Sequence, residues 1–232
     1  MQADILAWYE RYEFHPAVAR LQVFCSEDLG AFYLDVLKDR LYTTAADSRA
    51  RRSAQTALWH ITSGLLKLLA PVLSFTTEEA WKLFNAKDEP LTIFTETFHT
   101  YPEAGDRDAM TAKWARVREI RAEVMRRIEE VRATGKVGSS LAAEVDILAN
   151  GQDLEWLQSL GEDLRFVLIV SRVTVAAANE GGLSIEVRPT EATKCERCWH
   201  HRDDVGANAD HPTICGRCSD NLFGDGESRE HA

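Results

Sequence analysis

Two Cys-x-x-Cys pairs stand near the end of the chain, Cys195 with Cys198 and Cys215 with Cys218, and sixteen residues separate them. Each pair turns two thiolates of one tight turn toward a common point. A loop of this length lets the second turn double back and complete a tetrahedral four-sulfur site. Gly216, inside the second pair, suits the positive φ that such turns often need. A fifth cysteine, Cys25, is left over and no leader peptide is visible, which argues against disulfides. No βαβ pattern surrounds either pair, which argues against a redox pair. Iron uses the same spacing and spacing alone leaves it open; zinc is favoured because the surroundings read as a ribbon. One zinc per chain is expected, and its role is structural. Four thiolates leave no coordination position for a reacting water. His200, His201 and His211 are spare to such a set and read as exposed polar side chains.

Charge bounds the partners. The net charge is -10 over 232 residues, so the chain does not hold nucleic acid by bulk positive charge. Local cations can still do so. Hydrophobic content of 45% excludes a disordered chain. No apolar run approaches the roughly 20 residues of a membrane span, so no membrane partner is expected, and the cytoplasm is the expected compartment.

Helical periodicity dominates the first half. Gln2–Tyr12 and then Val18–Tyr42, restarted at Pro16, carry apolar positions at helical spacing, with Cys25 read as a buried thiol. Ala54, Leu58, Ile61, Leu65, Leu68 and Val72 form a core-facing stripe after a cap at Asp47 or Ser48. Arg49, Arg51 and Arg52 crowd the start of that helix, where cations oppose the macrodipole and ask for a carboxylate, solvent or a phosphate. Thr76 and Glu79 read as a capping box for a short helix through Trp81. A crossing segment with an extended piece is expected at about 88–105. A long helix of about Ala109–Thr134 follows, with Trp114, Val117, Ile120, Val124, Ile128 and Val131 on one face and Arg116 and Arg127 on its border. Strands are expected at Leu141–Leu148, Val173–Ala178 and Leu183–Val187, the last two joined as a hairpin through 179–182. A helix is expected at Asp153–Leu160, and Arg165–Val170 is undecided between helix and strand. The fold class is mainly α. It comprises a helical bundle over 1–135, a small α+β unit over 136–190, a four-cysteine ribbon over 191–222 and a disordered tail over 223–232.

Catalytic signatures are missing. There is no G-x-S-x-G, Walker A loop, G-x-G-x-x-G or H-E-x-x-H, and His60–Gly64 reads as core. No catalytic residue is assigned.

Two stretches carry a family resemblance: Arg51-Arg52-Ser53-Ala54-Gln55-Thr56-Ala57-Leu58, and Leu69-Ala70-Pro71-Val72-Leu73-Ser74-Phe75-Thr76-Thr77-Glu78-Glu79-Ala80-Trp81. They resemble the anticodon-binding bundle of class I aminoacyl-tRNA synthetases for isoleucine, valine, leucine and methionine. Phe32–Tyr42 and Gly135–Leu141 fit the same pattern. The stretch Cys195-Glu196-Arg197-Cys198-Trp199, with Ile214-Cys215-Gly216-Arg217-Cys218, is similar to the zinc finger shared by bacterial isoleucyl-tRNA synthetases and formamidopyrimidine-DNA glycosylases. Bundle and finger on one chain is the isoleucyl arrangement. The resemblance implies isoleucine tRNA as partner, beside catalytic and editing domains that are absent from this sequence, where ATP-dependent ligation would reside. It implies no activity for this segment alone. Unpaired RNA bases stack on aromatic or guanidinium planes. That makes Trp199, Arg197, His200, His201, Arg202 and Arg217 candidate RNA contacts, with Trp199 alternatively a cover for the metal. Arg51, Arg52, Lys136 and the Arg116/Arg127 border are candidates for phosphate. Two rivals stand beside this: a glycosylase-type DNA finger, disfavoured by the Met1-Gln2-Ala3 start, and a metal-stapled module that docks on a catalytic domain.

Overall fold

The computed structural model describes residues 1–85, 92–103, 105–179 and 181–231, and it is mainly helical. The chain packs as two compact units, one of residues 1–35 and 53–103, the other of residues 36–52 and 104–232.

In the first unit, α1 (Gln2–Glu10) and α2 (Phe14–Val23) bury Ile5, Ala17 and Leu21 with Leu68 of α4 (Arg49–Leu69). Met1, Leu6, Trp8, Tyr9, Leu65 and Leu69 surround that cluster, and Tyr9 Oη donates to the Leu68 carbonyl at 2.7 Å. After α2 the helix widens to π-type hydrogen bonding over Phe24–Leu34 and then tightens into α3 (Asp35–Thr43). A Cβ at Gly30 would meet the Cys25 carbonyl at 3.0 Å, which accounts for glycine there. Cys25 is exposed, not buried as its apolar neighbours suggested. The wider π turn rotates positions away from the face that a 3.6-residue period assigns them.

Ser48 caps α4, its Oγ accepting from the Arg51 amide at 3.2 Å. The expected stripe is packed from Ala54 to Leu68, but Val72 lies beyond the helix end and is exposed. The following helix, α5 (Ser74–Phe84), begins earlier than the capping box implied. Leu73 is its N-cap with no side-chain cap bond, and Thr77 Oγ1 bonds back to the Leu73 carbonyl at 2.9 Å. Glu78 serves another purpose, accepting from Thr92 Oγ1 and the Ile93 amide at 2.9 Å each. Those bonds seat Ile93 against Ala70 and Trp81. Of the expected crossing segment, 88–91 and 104 lie outside the described residues. Its described part forms a single 3-10 turn, Ile93–Thr95, and then runs without a strand to Glu103.

The second unit contains α6 (Arg107–Ala133), opened by Asp106, whose side chain accepts from the Ala109 amide. Val117, Ile120, Val124 and Ile128 are buried as the stripe required, and Gly135, at φ 77°, ends the run. Thus α6, expected within a 1–135 bundle, packs on α7, α8 and β3 of the second unit. The sheet has the order β2 (Arg172–Ala177), β1 (Ala143–Ala149), β3 (Ser184–Pro189). The pairing β1–β2 is parallel and β1–β3 antiparallel. The expected β2–β3 hairpin therefore does not form: the two strands flank β1 on opposite sides, and Glu180 of the connection lies outside the described residues. Parallel pairing needs a crossover, and α7 (Gly151–Gln158) with α8 (Leu164–Leu168) provides it. Within Arg165–Val170, Arg165–Leu168 is helix rather than strand, and Ile169, at φ 53°, ends it. Val145 pairs with Val173 and Val187, and Ile147 with Val175 and Ile185, on one face. Glu144, Asp146, Arg172 and Arg188 occupy the other, where Arg188 meets Glu144 at 3.0 Å.

The tail is held, contrary to the expectation of disorder from 223. Arg229 is buried with its side chain 1% exposed, and the amides of Glu230 and His231 donate to Asp163 Oδ2 at 3.0 and 2.8 Å.

Candidate metal centre

The strands β4 (Thr193–Lys194) and β5 (His201–Arg202) pair antiparallel, and the first cysteine pair sits on the turn between them. The Cys195 amide donates to the His200 carbonyl and the Trp199 amide to the Cys195 carbonyl, both at 2.9 Å. The second pair opens α9 (Gly216–Phe223), with Cys215 as its N-cap residue. Gly216 is not in the left-handed region. Its need for glycine is one of space, because a Cβ would lie 2.8 Å from Asp204 Oδ2, the carboxylate that accepts from its amide.

All four cysteines are buried and unlinked, and their sulfurs lie within 4.8 Å of one another. Cys198 Sγ and Cys215 Sγ are 3.8 Å apart. A disulfide is about 2.05 Å, whereas the edge of a four-sulfur tetrahedron with metal–sulfur bonds of about 2.3 Å is about 3.8 Å. The donor set therefore fits one zinc-sized ion. Hydrogen bonds shared among the sulfurs push the Cys215 thiol down and the Cys218 thiol up. Sulfurs so close cannot all be thiolates without a cation between them. The Cys215 amide donates to Cys195 Sγ at 3.3 Å, and Arg197 Nη1 approaches Cys218 Sγ at 3.6 Å.

Behind the sulfurs lies a second cluster, which the sequence did not disclose. Asp39 of α3 receives Arg217 through both oxygens, at 2.8 and 2.7 Å, and Arg229 Nη1 on Oδ1. Burial opposes the Asp39 charge. The Arg217 hydrogen bonds and the fields of Arg217 and Arg229 outweigh it and hold the carboxyl below the usual range. Phe166 lies under both guanidiniums, 3.6 Å from Arg229 and 4.9 Å from Arg217. His200 is buried there too, edge-on to Phe166. Burial is the largest influence on its pKa, which is lowered to about 4.

This placement removes several candidate RNA contacts. Arg217, 7% exposed, and His200 are committed inside the protein. Arg197 spends its guanidinium on the carbonyls of Thr43 and Tyr42 at the end of α3. His201 is half-buried, its amide donating to Ser171 Oγ and its Nδ1 lying 2.8 Å from the Ala192 carbonyl. Arg116 is bound to Asp153 and Glu119, and Arg127 to Glu123 and Glu130, so the expected basic border is neutralised. Arg51 is half-buried with Nη1 3.5 Å from the Thr44 carbonyl. Arg52 and Lys136 are exposed, and Arg202, half-buried, reaches Asp204 at 3.4 Å. Trp199 is 60% exposed, in the left-handed region at φ 66°, with Lys194 Nζ 5.4 Å from its ring centre. It is therefore no lid on the sulfurs.

A family model described as the anticodon-binding domain of tRNA ligase matches residues 1–147, well over half of the chain. The chain belongs to this family of tRNA-ligase anticodon-binding domains. A second model, the zinc finger found in FPG and IleRS, matches residues 193–221 of the chain, the stretch that holds all four sulfurs. Isoleucine–tRNA ligase of Bordetella petrii is 64% identical over the whole chain, that of Bordetella avium 62%, and that of Cupriavidus taiwanensis 60%. The chain spans about a quarter of the length of these relatives, 25%, 25% and 24% respectively. No helix among the described residues is long and apolar enough to cross a membrane.

Proposed function

We propose that this chain recognises the anticodon region of isoleucine tRNA on behalf of an ATP-dependent isoleucine–tRNA ligase, whose catalytic and editing parts lie outside this sequence. In this reading the helices of the first unit belong to the anticodon-binding bundle, and the cysteine tail is a zinc ribbon that presents a base-stacking side chain. The observation that carries it is the pairing of the two family matches on one chain with Trp199 displayed at the tip of the four-sulfur knuckle. A rigid, exposed indole flanked by Lys194 is a platform for an unpaired base, and the metal limits the ordering cost of docking it.

Zinc, when bound, supplies structure and no reaction step. Cys195, Cys198, Cys215 and Cys218 would hold it. Arg197 ties the knuckle to the end of α3, and Asp204 caps the helix that carries the second pair.

Binding of isoleucine tRNA, of its anticodon variants and of an unrelated tRNA to the zinc-loaded chain tests this. Isoleucine tRNA is expected to bind best, and anticodon changes to weaken it. Trp199→Gly relieves a left-handed backbone position, so stability is expected to hold while affinity drops by about 1–3 kcal/mol. Equal affinity for all anticodons refutes the assignment, and so does measurable isoleucine charging by this chain alone for its non-catalytic part.

A further inference from the structure

Three guanidiniums, those of Arg165, Arg172 and Arg202, line one cavity of about 410 Å³ in the second unit, where the start of β2 meets the β5 hairpin. They come from α8, β2 and β5, so no run of basic residues marks the place in sequence. Arg165 is the deepest of them, its side chain 13% exposed. Its Nη1 meets Glu162 at 3.2 Å, but that carboxylate is 89% exposed, where water screens it. Arg165 Nε is buried and has no hydrogen-bond partner among the described residues. Burial, followed by the fields of Arg202 and Arg217, lowers the Arg165 pKa, so positive charge is crowded at the cavity floor.

The acids answer that floor only in part. Asp204 accepts from the Gly216 amide through Oδ2, and its Oδ1 lies 3.4 Å from Arg202 Nε. Asp203 contacts Arg172 from the rim, where it is 73% exposed. A guanidinium offers a planar fork that matches the oxygens of a phosphate. The cavity also lies on the hairpin that carries Trp199, two residues before β5.

We propose that this cavity takes one backbone phosphate of bound RNA. Arg165 and Arg202 donate to its non-bridging oxygens, and Arg172 joins them when the exposed Asp203 carboxylate yields its place. The proposal rests on the RNA-binding reading above and adds to it a phosphate seat that carries affinity but no base preference.

The test measures affinity of the zinc-loaded chain for isoleucine tRNA against salt. It compares Arg165→Gln, Arg202→Gln, Asp203→Asn and, as a charge control on another element, Glu10→Gln; zinc content and far-ultraviolet circular dichroism report folding. Expected are a loss of about tenfold for each arginine variant, a salt slope shallower by about 0.7–0.9 and an unchanged ratio between anticodons. Asp203→Asn is expected to tighten binding several-fold and Glu10→Gln to leave it unchanged. Folded arginine variants with wild-type affinity and slope overturn the phosphate seat. If an arginine variant does not fold, Asp203→Asn decides: tighter binding supports the seat, unchanged or weaker binding removes it. Binding without anticodon preference defeats the functional reading alone, since the seat is still judged by the slope. Inorganic phosphate that shifts the Arg165 Nε resonance while the tRNA slope stays fixed makes this a site for the free ion and overturns the RNA assignment.

Discussion

Asp39 shows how one side chain redirects others. Arginines beside a metal knuckle suggest ligand contacts, yet Arg217 and Arg229 turn inward onto this carboxylate and stack on Phe166. Nothing in the local pattern of 194–219 identifies a partner 178 residues away. Arg217→Ala would leave Asp39 buried with its main hydrogen-bond donor gone. A loss of about 3–5 kcal/mol is expected, read by urea unfolding at fixed zinc. A variant as stable as the parent would return Arg217 to the list of RNA contacts.

At the scale of elements, a histidine pair fastens the run 96–103 to α4. His60 Nδ1 and His99 Nε2 are 2.9 Å apart, and Ser63 Oγ lies 3.2 Å from His99 Nδ1. Gln2 donates to the His99 carbonyl, and Tyr101 fills the space above Gly64. The sequence placed His60–Gly64 in a packed stripe, and the packing material is His99 and Tyr101. Burial, then the neighbouring His60 and Lys67, lowers the His99 pKa. Protonation is thus disfavoured in the folded unit. Its contribution is complete above the ordinary histidine value of about 6.5 and is lost as pH falls through the lower folded value. His99 is expected to titrate below 6.5 by NMR, and thermal stability of the first unit to decline from pH 7 toward 5. A His99 midpoint at or above 6.5 contradicts this.

Elements also differ in how readable they were. The stripes of α4 and α6 repeat over many turns, so their burial followed from period alone. The start of α5 did not, because the helix begins at Ser74, ahead of the expected Thr76–Glu79 box, with Leu73 as an N-cap that makes no side-chain bond. Alternation along β2 and β3 marked which face is apolar but not which strand lies beside which. Period two fixes a face and leaves the neighbour open.

For the whole molecule, metal binding and folding of the cysteine tail should be one process, since four deprotonated sulfurs converge only in the folded state. One zinc per chain is expected. Its removal by a chelator should expose the amides of 193–221 to hydrogen exchange, together with those of Glu230 and His231. The amides of Gln2–Glu10 and Ser74–Phe84 should stay protected. Collapse of all of them together would show that the ion stabilises far more than its own segment.

The sequence alone determined the four cysteines that converge on one point, the buried face of α4 and α6, and the family. Each is written in short-range spacing, and spacing translates directly into geometry. Tertiary structure decided which cations remain available to a ligand, which strand pairs with which, and that the last residues are anchored. Those outcomes depend on contacts between distant residues, where a buried carboxylate such as Asp39 or a free edge of β1 selects its partner by shape and charge.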